Sequence, residues 1–232
     1  AIKVLREKGL AKAAKKAGRI AAEGTVKTKV VGNTGVIVEI NSETDFCAKS
    51  DKFQEFVDTI VETILEKKPA DVEALAEMTA VGTDMKVADL VTDKVATIGE
   101  NLKIRRFTIL EGTLIDYMHD GGRIGTILKI ETDKPENEAI LEAAKNVALQ
   151  ITALNALYVS EKDMPAADVE KEREVQLALV KKEGKPDNVA VKIVEGRMRK
   201  FYEEVCLLNQ TYFKDDQFSV GKYIASVAKE QG

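Results

Sequence analysis

The side chains that most often build catalytic and metal sites are scarce in this chain. Cys47 and Cys206 are its only cysteines and His119 its only histidine. A thiol nucleophile needs a base beside it, so Cys47 and His119 form one conceivable pair, but nothing in the sequence brings them together. The bland account, a small loop residue and a polar turn residue, is preferred. The two cysteines match no metal-ligand spacing and no disulfide framework. Most metal and nucleophile chemistries draw on several histidines or cysteines, so no catalytic, metal or cofactor residues are assigned. The chain has 39 aspartates and glutamates, which at helical spacing are ordinarily solvated surface.

Two other stretches invite a chemical reading. Gly121-Gly122-Arg123-Ile124-Gly125 suggests a phosphate cradle, yet it lacks the Lys-Ser/Thr of a P-loop and the G-x-G-x-x-G spacing. A tight turn between two strands explains its glycines better, so no direct nucleotide binding is expected. "NSETDFCAKS", residues 41–50, follows an apolar run, Val36 to Ile40. Its Phe46 is either a core anchor or a side chain offered to a partner.

The elements that must position these residues follow from hydrophobic period. Val26 to Val30 alternates as a half-buried strand does, Gly32 to Gly35 is turn chemistry, and a strand over 35–40 completes a hairpin. Phe53, Phe56, Val57, Ile60, Val61 and Ile64 recur at helical spacing and line one face. Ser50 or Asp51 caps that helix and Pro69 ends it. Phe46 is not needed to complete its stripe. A short helix is expected over 71–78, another over 86–97 closed by Gly99, and strands over 102–110, 113–117 and 124–130.

Farther on, Ile140, Ala144, Val147 and Ile151 mark a helix over 136–156. Asp168 is expected to cap a helix running to Glu183, where Gly184 and Pro186 stop it. A second helix then carries Ala190, Val194, Met198, Phe201 and Val205 on one face, making an antiparallel hairpin. The last helix begins at Ser219. Strands and helices mix without a regular β-α alternation, which points to an α+β fold with small antiparallel sheets packed against helices.

Composition bounds the class. The 232 residues are 44% hydrophobic and 32% charged, enough for one large or two small cores. No apolar run approaches the ~18 residues of a membrane span, and no signal-peptide pattern is present. With two unpaired-looking cysteines this favours a reducing, cytoplasmic compartment. A net charge of −4 argues against a dominant nucleic-acid surface. The start is basic nonetheless, with Lys3, Arg6, Lys8, Lys12, Lys15, Lys16 and Arg19 against Glu7, and could meet RNA or an acidic partner. A solvated helix is the plainer account.

Several stretches together resemble the bacterial translation elongation factor Ts family. They are "AKAAKKAGRIAAEG" (11–24), "VEINSETDFCAK" (38–49), "IGENLKIRRF" (98–107), "HDGGRIG" (119–125) and "GKPDNVAVKIVEGRMRKFYEE" (184–204). The resemblance implies two α+β subdomains with an inserted helical hairpin, placed here at 1–112, at 113–160 with 209–232, and at 161–208. It implies a nucleotide-exchange factor and no enzyme: a protein that binds elongation factor Tu·GDP, loosens its magnesium and phosphate contacts, and lets GTP replace GDP. The family's Thr-Asp-Phe signature falls on Thr44, Asp45 and Phe46, the Phe ring wedging into an apolar pocket of the GTPase. Ile124 and Gly125 match a second partner-contacting segment. Gln150 stands where some relatives carry a histidine at a partner contact.

Two departures matter. The family's small N-terminal helical domain and its closing strand are missing, and truncation is the preferred account. If the protein itself were this short, it would be expected to bind Tu less tightly and to have an incomplete second subdomain. The hairpin seam serves its own packing or a second chain, so a homodimer stays open. From other classes stand a helical module that binds ribosomal RNA or itself, and a Cys47 hydrolase, which one histidine fits poorly.

Overall fold

The computed structural model describes residues 2–184 and 186–232, without the side chains of residues 2–8, 187 and 188. The chain divides into two compact units, residues 1–135 and 136–232.

The first unit opens with α1 (Ile2–Lys16), then the strands β1 (Glu23–Val31) and β2 (Thr34–Ser42). Gly32, at φ +61°, takes the first position of the two-residue turn joining them. A single helical turn, α2 (Asp45–Ala48), leads into α3 (Asp51–Lys67), which is followed by α4 (Val72–Glu77) and α5 (Val87–Ile98). The strand β3 (Lys103–Glu111) pairs with β2, so β2 lies centrally in an antiparallel sheet ordered β1-β2-β3. β4 (Thr113–His119) and β5 (Ile124–Ile130) form a separate two-stranded hairpin.

Why these segments form what they do is visible in their burial. Successive strand side chains alternate faces, and Val36, Val38 and Ile40 of β2 point into one core with Phe53, Phe56, Val57, Ile60, Val61 and Ile64 of α3. All six expected α3 positions are buried, each worth about 1.5–3 kcal/mol of transfer from water. Ser50 accepts from Phe53 N–H at the start of α3, and Lys68, at φ +45°, turns the chain at its end. Gly99 closes α5 at φ +93°, a left-handed conformation in which glycine meets no Cβ penalty.

On the opposite face of β2, Gly35 meets the β4–β5 hairpin. A Cβ there would lie 2.5 Å from Ile127 Cδ1 and 2.8 Å from Leu114 Cδ1. Thr28 Oγ1 of β1 also donates to Asp116 of β4, at 2.8 Å. These contacts place the 113–130 hairpin in the first unit, where the sequence grouping joined it to residues 131–160.

The second unit contains α6 (Glu138–Leu154), α7 (Ala166–Lys182), α8 (Asp187–Val205), the short strands β6 (Thr211–Tyr212) and β7 (Asp215–Ser219), and α9 (Val220–Gln231). α7 and α8 form the antiparallel hairpin. Val180, Ala190, Val194 and Met198 are buried between them, with Phe201 partly covered. Arg197 bridges to Glu183 at 2.8 Å. Lys185 of the connecting turn lies outside the described residues.

α7 begins two residues before the expected Asp168, because the fixed φ of Pro165 opens the helix there. The Asp168 carboxylate accepts from Tyr158 O–H instead. The α6 face that is buried is Ala143, Ala144, Val147, Ala148 and Gln150. Among the described residues no helix is long and apolar enough to cross a membrane.

Candidate functional site

The Thr44-Asp45-Phe46 loop is built from its caps inward. Thr44 has extended backbone and its hydroxyl accepts from Cys47 N–H at 3.1 Å, so it opens α2 as an N-cap. Once α2 makes its single turn, successive residues take different directions. Cys47 and Ala48 are buried at 6% and 7% exposure, while Phe46 is 83% exposed. Ser50 Oγ donates to Cys47 carbonyl at 2.8 Å, and Gln54 Nε2 to Ala48 carbonyl at 2.7 Å. The turn is thereby tied to the first turn of α3. Phe46 stands out from a fixed base and contributes nothing to the core.

Behind the loop lies the connection from α5 to β3. Glu100 Oε2 accepts from Glu43 N–H and Thr44 N–H, both at 3.0 Å, and Glu100 Oε1 accepts from the Thr44 hydroxyl at 2.6 Å. In return Glu43 Oε1 accepts from Asn101 N–H at 2.7 Å. Asn101 Nδ2 donates to Arg19 carbonyl at 2.7 Å, and Lys16 Nζ donates to Gly99 carbonyl. Two of the basic residues near the start, Lys16 and Arg19, therefore meet this corner, Arg19 through a long 3.5 Å pair with Glu43. Lys12 and Lys15 are exposed. The Lys3, Arg6 and Lys8 side chains lie outside the described residues.

The charges around the loop have plain causes. Asp45 is half-exposed, and a 3.1 Å hydrogen bond from Lys49, one turn on, holds its carboxyl below the ordinary value. The Cys47 thiol is pushed up to about 12, first by burial and then by the Glu100 carboxylate. A thiol of that kind is a poor nucleophile at neutral pH, and the charged group beside it is Glu100. His119 meets Tyr117 O–H, 3.2 Å from its Nδ1.

A test follows. Iodoacetamide at pH 8 should leave Cys47 unlabelled in the folded chain and modify it once denaturant unfolds the protein. Rapid labelling of the native chain would contradict this burial. The linkage has a sign. The folded thiol titrates above its ordinary 9.0, so its contribution to stability is complete below about pH 9. It fades as pH rises from there through about 12.

The other expected residues lie elsewhere. Ile124 is 47% exposed at the start of β5, opposite His119 in the hairpin register. Gly125 pairs with Met118, and a Cβ on it would approach Val26 Cγ1 to 2.8 Å. Only glycine lets β5 lie this near β1. The turn before it runs through Asp120, Gly121 and Gly122 at positive φ, which accounts for the glycine cluster as turn geometry.

Gln150, in the second unit, is fully buried. Its Nε2 donates to Thr211 carbonyl at 3.0 Å and Gln210 Oε1 at 3.3 Å, and its Oε1 accepts from Phe213 N–H at 2.9 Å. Its amide is spent on its own chain and offers no free surface. Among the described residues no cluster of three histidine, cysteine or acidic side chains could hold a metal ion.

Sequence reasoning missed Glu100 and Asn101 as the loop's support. Both sit inside the quoted "IGEN" stretch, a motif with no periodicity of its own to reveal a contact with residues 43 and 44.

Comparison with known proteins gives this architecture a lineage. The family model described as "Elongation factor TS" matches residues 43–231. Elongation factor Ts of Syntrophotalea carbinolica is 41% identical over 235 residues, covering all of this chain and 78% of the relative. The factors from Clostridium kluyveri and Trichlorobacter lovleyi are each 43% identical, over 238 and 241 residues, again covering all of this chain and 78% of theirs. A match of this extent fixes the family, and the chain belongs to elongation factor Ts.

Proposed function

We propose that this chain, acting with the rest of the translation machinery in the cytoplasm, binds elongation factor Tu·GDP and promotes release of GDP so that GTP can enter. Family membership supports the exchange-factor role in translation elongation. The observation that carries the finer reading is Phe46, 83% exposed on a one-turn helix whose base is tied to Glu100, Ser50 and Gln54. A large ring held in water at the tip of a rigid loop gains most when a partner covers it, and costs little entropy to immobilise.

Exchange then follows from linkage. A factor that lowers the affinity of Tu for GDP must bind Tu·GDP more weakly than it binds nucleotide-free Tu, by the same factor. Burying Phe46 in an apolar pocket of the GTPase offsets the distortion of its nucleotide site. Asp45 brings a carboxylate that is ionised across the neutral range to the same place. Thr44 shapes the turn that presents both. Ile124 and Gly125 supply a second contact on β5, Ile124 through its half-exposed apolar side chain and Gly125 by letting β5 lie against β1. Gln150 contributes from behind, fixing the backbone of Phe213, whose ring is 41% exposed. The chain performs no covalent step.

The deciding experiment is release of mant-GDP from elongation factor Tu with and without the chain. Acceleration that saturates with chain concentration is expected. A release rate unchanged at micromolar chain would overturn the proposal.

A further inference from the structure

We infer that Glu100 is the positioning residue of the Phe46 loop: its carboxylate and that of Glu43 form a reciprocal latch that fixes the loop in the shape a partner meets, an inference that rests on the proposed exchange activity. The geometry is mutual. Glu43 reaches across to the backbone of Asn101, and Glu100 reaches back to the backbone of Glu43 and Thr44 and to the Thr44 hydroxyl. Four hydrogen bonds join two segments 56 to 58 residues apart. All four end on carboxylates, and charge-assisted bonds of this kind are roughly twice as strong as neutral ones.

The latch sits immediately before Asp45 and Phe46, so it sets where α2 begins and hence where both side chains point. Three further ties anchor the same corner: Ser42 Oγ donates to Thr44 carbonyl at 3.0 Å, Asn101 Nδ2 donates to Arg19 carbonyl, and Lys16 donates to Gly99 carbonyl. Glu100 itself touches neither Asp45 nor Phe46 through any of these bonds. Its effect on a partner must pass through the loop.

Population arithmetic says how large that effect is. If a loosened loop is in its binding shape only one tenth of the time, apparent affinity for the partner falls about ten-fold. Loss of Glu100 leaves Glu43 N–H and Thr44 N–H without their acceptor, and water then competes for them.

The test uses the whole chain with Glu100→Ala, and Glu100→Gln as the milder variant in case the first folds poorly. In the free protein, amide hydrogen exchange at Glu43 and Thr44 should quicken about ten-fold or more in Glu100→Ala, while the α3 amides of Phe56 to Ile64 stay protected. Unchanged exchange at Glu43 and Thr44 in both variants overturns the latch, whatever the chain does to Tu.

In mant-GDP release, Glu100→Ala should raise the half-saturating chain concentration about ten-fold. It should add clearly less than that ten-fold once Phe46 is already alanine, because both substitutions act through one loop and only the contact of Asp45 is then left to lose. Fully additive effects would mean that Glu100 acts on the partner separately, and would overturn the positioning role. Should the wild-type chain fail to accelerate release, the exchange proposal falls, and the amide measurement still decides whether the latch exists.

Discussion

Replacing Phe46 with alanine is expected to cut the chain's stimulation of GDP release from elongation factor Tu by about 30-fold or more, while the free energy of unfolding moves by less than about 0.5 kcal/mol. The two halves of this result have separate causes. An aromatic anchor at the centre of an interface contributes about 2 kcal/mol or more when truncated, and each 1.4 kcal/mol is about ten-fold. Stability should hardly change because the ring is 83% exposed and the α2 turn is fixed by Thr44, Ser50, Gln54 and Glu100 rather than by ring packing. Stopped-flow mant-GDP release and urea denaturation of the same preparation check both halves. An exchange rate near that of the wild type would remove the wedge role. A large loss of stability with the exchange rate per folded molecule intact would make Phe46 a core residue after all.

Phe53, seven positions later, should give the opposite result. It is fully buried on α3, with its ring tilted 60° to that of Phe56 and their centroids 6.4 Å apart. Phe53→Ala removes a ring from a cluster that includes Val36, Val38, Ile40, Phe56, Val57 and Ile60, and is expected to cost about 3–5 kcal/mol of stability. Against a typical total of about 5–15 kcal/mol, that brings much of the population to the edge of unfolding at growth temperature. Activity should then fall with the folded fraction and recover on cooling toward the temperature of maximum stability. A denaturation midpoint shifted by less than about 1 kcal/mol would mean that the core collapses around the gap far better than packed interiors usually do.

That one residue type gives two such different forecasts shows what a sequence makes legible. The α3 stripe was readable because six apolar positions recur at helical spacing and face one sheet. The β1–β2 hairpin was readable because Gly32 and Asn33 sit between two β-branched runs. Gly99 was readable as a stop because only glycine takes φ +93° freely.

Other features had no periodic signal to follow. α2 is four residues long, shorter than any window in which a period shows. β6 and β7 have two and five residues. The buried face of α6 is built mainly of alanines with Gln150 among them, so the apolar pattern found Ala144 and Val147 but also took in Ile140 and Ile151, which are only half-buried. The place of the β4–β5 hairpin rests on Gly35 admitting Ile127 and Leu114, a close approach that no local pattern announces.

The candidate site divides the same way. Polar sequence around Phe46 left its orientation open, and the family resemblance, not periodicity, named the residue as an anchor. What supports it comes from Glu100 and Asn101, distant in sequence. Non-local hydrogen bonds between polar residues leave no trace in hydropathy. Gln150 shows the converse: a polar residue that the family resemblance offered as a partner contact is here fully enclosed by its own chain.

Every bond between Glu100 and the 43–44 segment ends on a backbone amide or on the Thr44 hydroxyl, so the scaffold is indifferent to the identity of residue 46. Shape and display are thereby separable traits. A substitution at that one position, to tyrosine, leucine or tryptophan, should therefore alter the proposed fit to the GTPase while the Glu100 bonds to residues 43 and 44 stay as they are. In the contact proposed above, such a loop has a single adjustable point, insulated from the fold that carries it.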